Sequence, residues 1–147
     1  MATTSQAHLA GTTESPDGGA FTWGNGKTGT KGVVSTSNSV YGQLINDGVS
    51  NFGFKAFSNG TSAVLSASWN DDGTFQGGAV TLVRGNTPYP GPITAKNSVL
   101  GKVTNGGSNM TFDYNPANDQ LVVGRRSEAI VSLFRADELS RGDFESH

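Results

Sequence analysis

Residues 32–51 read GVVSTSNSVYGQLINDGVSN, and residues 91–109 read GPITAKNSVLGKVTNGGSN. The two stretches align at an offset of 59 as far as Gly48 and Gly107, which places Asn38-Ser39-Val40 over Asn97-Ser98-Val99. The chain therefore contains an internal duplication. A repeat of this length constrains the architecture more strongly than any single motif does.

One extra residue near the end of the first stretch, Val49, shifts the register, and the alignment then continues beyond both stretches. Each copy then ends on the same kind of apolar segment, AVTLVR at residues 79–84 and IVSLFR at residues 130–135. We place the two copies at residues 32–85 and 91–136.

Apolar and polar side chains alternate within each copy, which is typical of strands that bury one face against a core. Ala63, Leu65 and Trp69 share one side of such a strand, and serines dominate the other side. Turn-forming stretches such as residues 46–48 and 70–73 separate the strands and supply the residues that tight hairpins require. Hairpin connections predict an antiparallel sheet.

Each copy supplies four strand segments, so the pattern predicts an all-β fold made of two duplicated four-strand units. Open antiparallel edges promote aggregation, so we expect an antiparallel barrel or a barrel-like two-sheet sandwich. Residues 20–147 form one β domain in this interpretation. Residues 1–19 are polar and aperiodic, which predicts a flexible N-terminal arm or a segment that wraps an edge of the sheet.

Composition and charge exclude several classes of protein. The chain has no cysteine, which excludes disulfides and thiolate metal sites. Its net charge of −2 offers no cationic surplus for nucleic acid. No apolar run approaches the roughly 20 residues of a membrane-spanning helix, and residues 1–10 do not resemble a secretory signal. These features predict a soluble protein that is cytoplasmic or released by a non-classical route.

Catalytic groups are scarce in this sequence. The only histidines, His8 and His147, lie in the polar arm and at the last position, so no Ser-His-Asp arrangement is predicted. Asp71 and Asp72 are adjacent in a hairpin, where consecutive side chains diverge. This acidic turn lacks the remainder of a 12-residue calcium loop. We predict a protein that is not an enzyme and has no metal site and no cofactor.

The best candidates for ligand binding surround the acidic hairpin. Trp69 and the tyrosines offer flat rings for stacking, and the Asn/Asp side chains offer planar hydrogen bonding. The alternative for Trp69 is a place at the end of the core, because it has the parity of Leu65. The predicted ligand-binding residues are Trp69, Asn70, Asp71, Asp72, Tyr41 and Tyr89.

Three functions are consistent with these residues. The first is a non-catalytic, lectin-like recognition module that binds glycans. The second is a structural or assembly protein of a virion, phage appendage or surface layer, suggested by the composition rich in Gly, Ser, Thr and Asn. The third is a small-ligand-binding β-barrel. The expected partners are a glycan or other copies of the chain in a homo-oligomer, with no nucleic acid and no membrane span.

Overall fold

The computed structural model describes residues 3–8, 18–25, 37–58, 60–71, 73–84 and 91–135. Apart from two short 3-10 turns, Gly106–Asn109 and Arg126–Glu128, these residues contain no helix. The strands are β1 Thr3–His8, β2 Ala20–Asn25, β3 Ser39–Tyr41, β4 Phe54–Ala56, β5 Thr61–Ser66, β6 Ala79–Arg84, β7 Gly91–Pro92, β8 Ser98–Leu100, β9 Met110–Asn115, β10 Gln120–Arg125 and β11 Ile130–Arg135.

The strands form three sheets. Sheet 1 has the order β1-β2-β3-β7, sheet 2 has the order β4-β5-β6-β8, and sheet 3 has the order β9-β10-β11. All neighbours are antiparallel except β3 and β7, which are parallel. No helix in the described part of the chain is long and apolar enough to cross a membrane.

The all-β fold is confirmed, but the described strands do not close into a barrel. The reason lies in β3 of the first predicted copy and β8 of the second, which pair with the preceding sheet. β3 pairs with β2, and β8 pairs with β6. The first copy therefore contributes to sheets 1 and 2, the second contributes to all three sheets, and the sheets remain separate.

Two hydrophobic clusters join the three sheets into a stack. Cluster 1 joins sheets 1 and 2 and contains Phe21, Val40, Val49, Val64, Trp69, Ala79, Val83 and Ile93. Cluster 2 joins sheets 2 and 3 and contains Ala63, Leu65, Val80, Val99, Met110, Tyr114, Leu121 and Val123. Sheet 2 is consequently covered on both faces.

This stacking corrects the expectation that β5 buries one face only. Every residue of β5 is buried, with Val64 in cluster 1 and its neighbours Ala63 and Leu65 in cluster 2. Strand alternation places neighbouring side chains on opposite faces, so both faces of β5 contribute to a core.

Side-chain contacts recur at the offset seen in the sequence. The hydroxyl oxygens of Thr22 and Ser39 lie 2.6 Å apart between β2 and β3. Those of Thr81 and Ser98 lie 2.6 Å apart between β6 and β8. The strand pairs β2–β3 and β6–β8, which this offset relates, thus have the same local geometry.

The N-terminal segment is partly a strand. β1 pairs antiparallel with β2 and forms an edge of sheet 1. Residues 9–17 of that arm lie outside the described residues.

Candidate functional site

The predicted ligand site lies on the loop of residues 67–78, between β5 and β6. Trp69 is only 6% exposed and belongs to cluster 1, where it packs with side chains of sheets 1 and 2. The faces of its ring are covered by the protein, so it presents no stacking surface for a sugar in this structure.

Asn70 is half-buried and uses its polar atoms within the protein. Its backbone N–H and its Nδ2 both donate to Oδ1 of Asp47, each at 3.0 Å. Its Oδ1 accepts a hydrogen bond from the backbone N–H of Gln76 at 2.8 Å. Asn70 therefore stabilises its own loop and connects that loop to the turn that follows β3.

Asp47 is the buried acceptor at the centre of this connection. Its Oδ2 accepts hydrogen bonds from the backbone N–H groups of Gln43 and Leu44, each at 2.9 Å. Its Oδ1 accepts the two hydrogen bonds that Asn70 donates. A buried carboxylate is stable only when donors surround it, and Asp47 has four. Its role is structural.

Asp47→Asn is expected to lower the free energy of unfolding by about 1–3 kcal/mol, because an amide leaves some of these donors without an acceptor. The matched control is Asp113→Asn. Asp113 is exposed, and its Oδ1 lies 3.9 Å from Nζ of Lys55, which is also exposed. Urea unfolding should place the control within about 0.5 kcal/mol of the wild type. Equal stabilities for the two variants would contradict the structural role of Asp47.

Asp71 takes part in a connection between sheets 2 and 3. Its Oδ2 lies 2.9 Å from Nζ of Lys102, which follows β8. The backbone N–H of Lys102 donates to Oε2 of Glu128 at 3.2 Å, and Oε1 of Glu128 pairs with Arg125 at 2.9 Å. Nη1 of Arg125 also donates to the carbonyl oxygen of Leu100 at 3.1 Å. These charged side chains thus connect the β5–β6 loop, the segment after β8 and the turn between β10 and β11.

The structure brings Trp69, Asn70 and Asp71 together on one loop, whereas Tyr41 is half-buried on β3 of sheet 1. Asp72 and Tyr89 lie outside the described residues. Within the described ranges, no three His, Asp or Glu side chains are grouped so that they could hold a metal ion.

A second surface, on sheet 3, was not predicted from the sequence. The fraction exposed is 67% for Val131 and 61% for Leu133, both on β11. The counterpart of Val131 on β6 is Val80, which is fully buried. Strands of the same apolar pattern thus have opposite environments.

The difference follows from what covers each strand. β8 lies along the outer edge of β6, and cluster 2 covers the face that carries Val80. Among the described strands, β11 has β10 on one side and no strand on the other. We call this side the free edge of β11, and the side chains of Val131 and Leu133 the open face of sheet 3.

No local signal marks this surface in the sequence, because the segments at residues 79–84 and 130–135 have the same apolar pattern.

Stacked sheets, recurring strand pairs and loops that connect neighbouring sheets define an all-β repeat protein. Residues 9–51 and 56–108 match the family described as "Repeat of unknown function (DUF5650)". The chain belongs to that family. The first match includes β2 and β3, and the second includes β5 to β8. No curated protein and no solved structure matches the chain.

Proposed function

We propose that this chain is a structural assembly module, without catalytic activity, that associates with copies of itself through sheet 3. The observation that supports this proposal is the exposure of β11 where its counterpart β6 is covered. Repeat units bury their apolar faces on their neighbours, so an exposed apolar face of such a unit is a contact surface.

Two physical properties make sheet 3 suitable for association. Fully burying a valine or leucine side chain contributes about 1.5–3 kcal/mol, and Val131 and Leu133 are side by side on the open face. An edge strand also offers unpaired backbone N–H and C=O groups, which promote pairing with another chain. Because β11 carries both the open face of sheet 3 and the free edge, both properties favour association at the same place.

The other two functions receive less support from the described residues. A lectin-like site would need the ring of Trp69, which is buried, and the side chains of Asn70 and Asp71, which bond within the protein. A ligand-binding barrel would need a closed sheet, and the described strands form three open ones. Assembly needs neither feature.

We expect the sedimentation coefficient of the wild-type chain to rise with concentration between about 5 and 200 µM, the range of weak protein interfaces. Val131→Asp and Leu133→Asp should each keep the chain monomeric, because a carboxylate cannot be buried there without a partner. Both side chains are exposed, so the melting temperature should stay close to that of the wild type.

The matched control is Ile45→Asp. Ile45 is 64% exposed, as exposed as Val131, but it lies in the turn after β3 and not on sheet 3. This variant should associate like the wild type. A wild-type chain that remains monomeric over the whole range would refute the proposal, as would a loss of association in Ile45→Asp equal to that in Val131→Asp.

A further inference from the structure

The contact between β8 and β6 shows how this fold covers the edge of such a strand. β8 pairs antiparallel with β6, placing Ser98 opposite Thr81 and Val99 opposite Val80. The backbone N–H of Leu82 donates to the carbonyl oxygen of Asn97 at 3.2 Å. At the other end, Gly101 donates to Gly78 at 2.9 Å. The carbonyl group of Gly78 and the backbone groups of residues 80 and 82 thus face β8, whereas the N–H of Gly78 donates to the carbonyl oxygen of Trp69 at 3.0 Å.

β11 repeats the geometry of β6. β6 pairs with β5 so that Thr81 lies opposite Val64, and β11 pairs with β10 so that Ser132 lies opposite Val123. The residue before each strand has a left-handed backbone, with φ of 83° at Gly78 and 56° at Ala129. By this correspondence, residues 131 and 133 direct their backbone groups toward the free edge. The N–H of Ala129 donates to the carbonyl oxygen of Arg126 at 3.0 Å, within the preceding turn.

We propose that the free edge of β11 is the docking site for one extended strand with the sequence pattern of β8, Asn-Ser-Val-apolar-Gly. The strand belongs to a further copy of the same repeat. This proposal rests on the proposed function only in taking sheet 3 as a contact surface, and it specifies the partner. The docked strand places its serine opposite Ser132 and its valine opposite Val131.

The Asn-Ser pair explains why this pattern, and not any strand, is expected. Oδ1 of Asn97 accepts from the backbone N–H of Thr94 at 2.9 Å and from the hydroxyl of Ser98 at 2.7 Å. Nδ2 of Asn97 donates to the carbonyl oxygen of Pro92 at 2.9 Å. The asparagine therefore shapes the turn that leads into the strand and orients the serine toward its partner.

The chain uses this pairing twice. In the earlier copy, the hydroxyl of Ser39 donates to Oδ1 of Asn38 at 2.8 Å and contacts Thr22 of β2. β2 and β6 each receive an Asn-Ser-Val strand in the same register, with Val40 opposite Phe21 and Val99 opposite Val80. β11 pairs with its neighbour in the same register as β6 and has a hydroxyl at Ser132. Among the described residues, no Asn-Ser-Val strand lies beside β11.

The test uses the full chain and a fluorescently labelled peptide of residues 92–102, PITAKNSVLGK. Fluorescence anisotropy should show saturable binding below about 1 mM. Hydrogen exchange of the Val131 and Leu133 amides should slow about tenfold or more in the presence of saturating peptide. The amide of Ser132 is an internal control, because it faces β10 with or without the peptide.

Two modified peptides provide a matched pair. N-methylation of the residue equivalent to Val99 removes a donor that faces β11, and binding should weaken about tenfold or more. N-methylation of the neighbouring residue, equivalent to Leu100, affects the opposite edge and should change binding by less than about threefold. In the chain, Leu133→Pro should weaken binding because it removes an N–H from the free edge.

Absence of binding at about 1 mM, equal effects of the two N-methyl groups, or slowed exchange on a strand other than β11 would each overturn the inference. The outcome is separable from that of the proposed function. Self-association of the wild-type chain without peptide binding at about 1 mM rejects the docking strand but retains the assembly module. Peptide binding by a chain that is always monomeric rejects self-assembly but supports the docking site.

Discussion

Trp69→Ala is expected to lower the free energy of unfolding by about 3–5 kcal/mol, the range for removing a buried aromatic side chain. The indole lies in cluster 1 with Phe21 and Val64, between sheets 1 and 2. Its removal leaves a cavity that these sheets cannot fill without moving, since protein interiors are close-packed. Urea unfolding followed by circular dichroism measures the loss.

Asp71→Ala is the control for this prediction, because it changes the same loop without opening the core. Asp71 pairs with Lys102 at the surface, and exposed pairs of this kind contribute about 0–1 kcal/mol. A glycan array with both variants separates the hypotheses. If Trp69→Ala were as stable as the wild type and lost a glycan that the wild type binds, Trp69 would be a ligand-stacking residue and not part of the core.

The strands and turns of this chain could be predicted because they depend on local sequence. Met110 and Tyr114 alternate with polar residues along β9, and both are buried in cluster 2. Asn46 and Asn105, at equivalent turns of the two copies, have φ of 66° and 61°. Asparagine tolerates this left-handed backbone better than most residues do, so these turns could be predicted from the sequence.

The number of sheets could not be predicted, because small polar residues occupy one of the covered faces. Ser62 and Ser66 alternate with apolar residues on β5 and suggest a solvent-facing side, but both are buried. Oγ of Ser66 accepts from the backbone N–H of Ser50 at 3.0 Å, which satisfies it inside the stack. A serine that is small and hydrogen-bonded can lie between packed sheets, so polarity alone did not reveal the second core.

The predicted ligand site depended on exposure, which distant contacts determine. Trp69 and Asn70 are close together because they are adjacent in sequence. Their burial, however, comes from Phe21 of sheet 1 and from Asp47 in the turn after β3. A local pattern carries no information about such partners. The same argument applies to Val131, whose pattern matches that of Val80 and whose exposure does not.

Close contact between glycine backbones is a recurring feature at the end of the sheets where the connecting loops lie. A Cβ atom on Gly42 would lie 2.5 Å from the carbonyl oxygen of Gly18. A Cβ atom on Gly101, its counterpart, would overlap the carbonyl oxygen of Gly77 and lie 2.8 Å from the carbonyl carbon. The chain thus brings backbone against backbone at equivalent places, where only glycine fits without displacement.

Gly101→Ala is therefore expected to lower the free energy of unfolding by about 3 kcal/mol or more, at or beyond the upper end of the usual range for overpacking. The atoms that the new methyl group meets belong to the backbone of Gly77, so no side-chain rotation can relieve the overlap. The displacement would separate the ends of β6 and β8, which Gly78 and Gly101 connect by a hydrogen bond of 2.9 Å. Chemical unfolding of the purified variant measures the effect.

Gly106→Ala is the matched control for Gly101→Ala, because Gly106 is also buried and lies in the same connection between β8 and β9. Its Cβ atom would lie 3.5 Å from Cβ of Ser127, an ordinary van der Waals distance. This variant should remain within about 1 kcal/mol of the wild type, since alanine also restricts the unfolded chain. If both variants were equally stable, the close approach of Gly77 and Gly101 would not be a requirement of the fold. If only Gly101→Ala were destabilised, that approach would account for glycine at the equivalent position, Gly42.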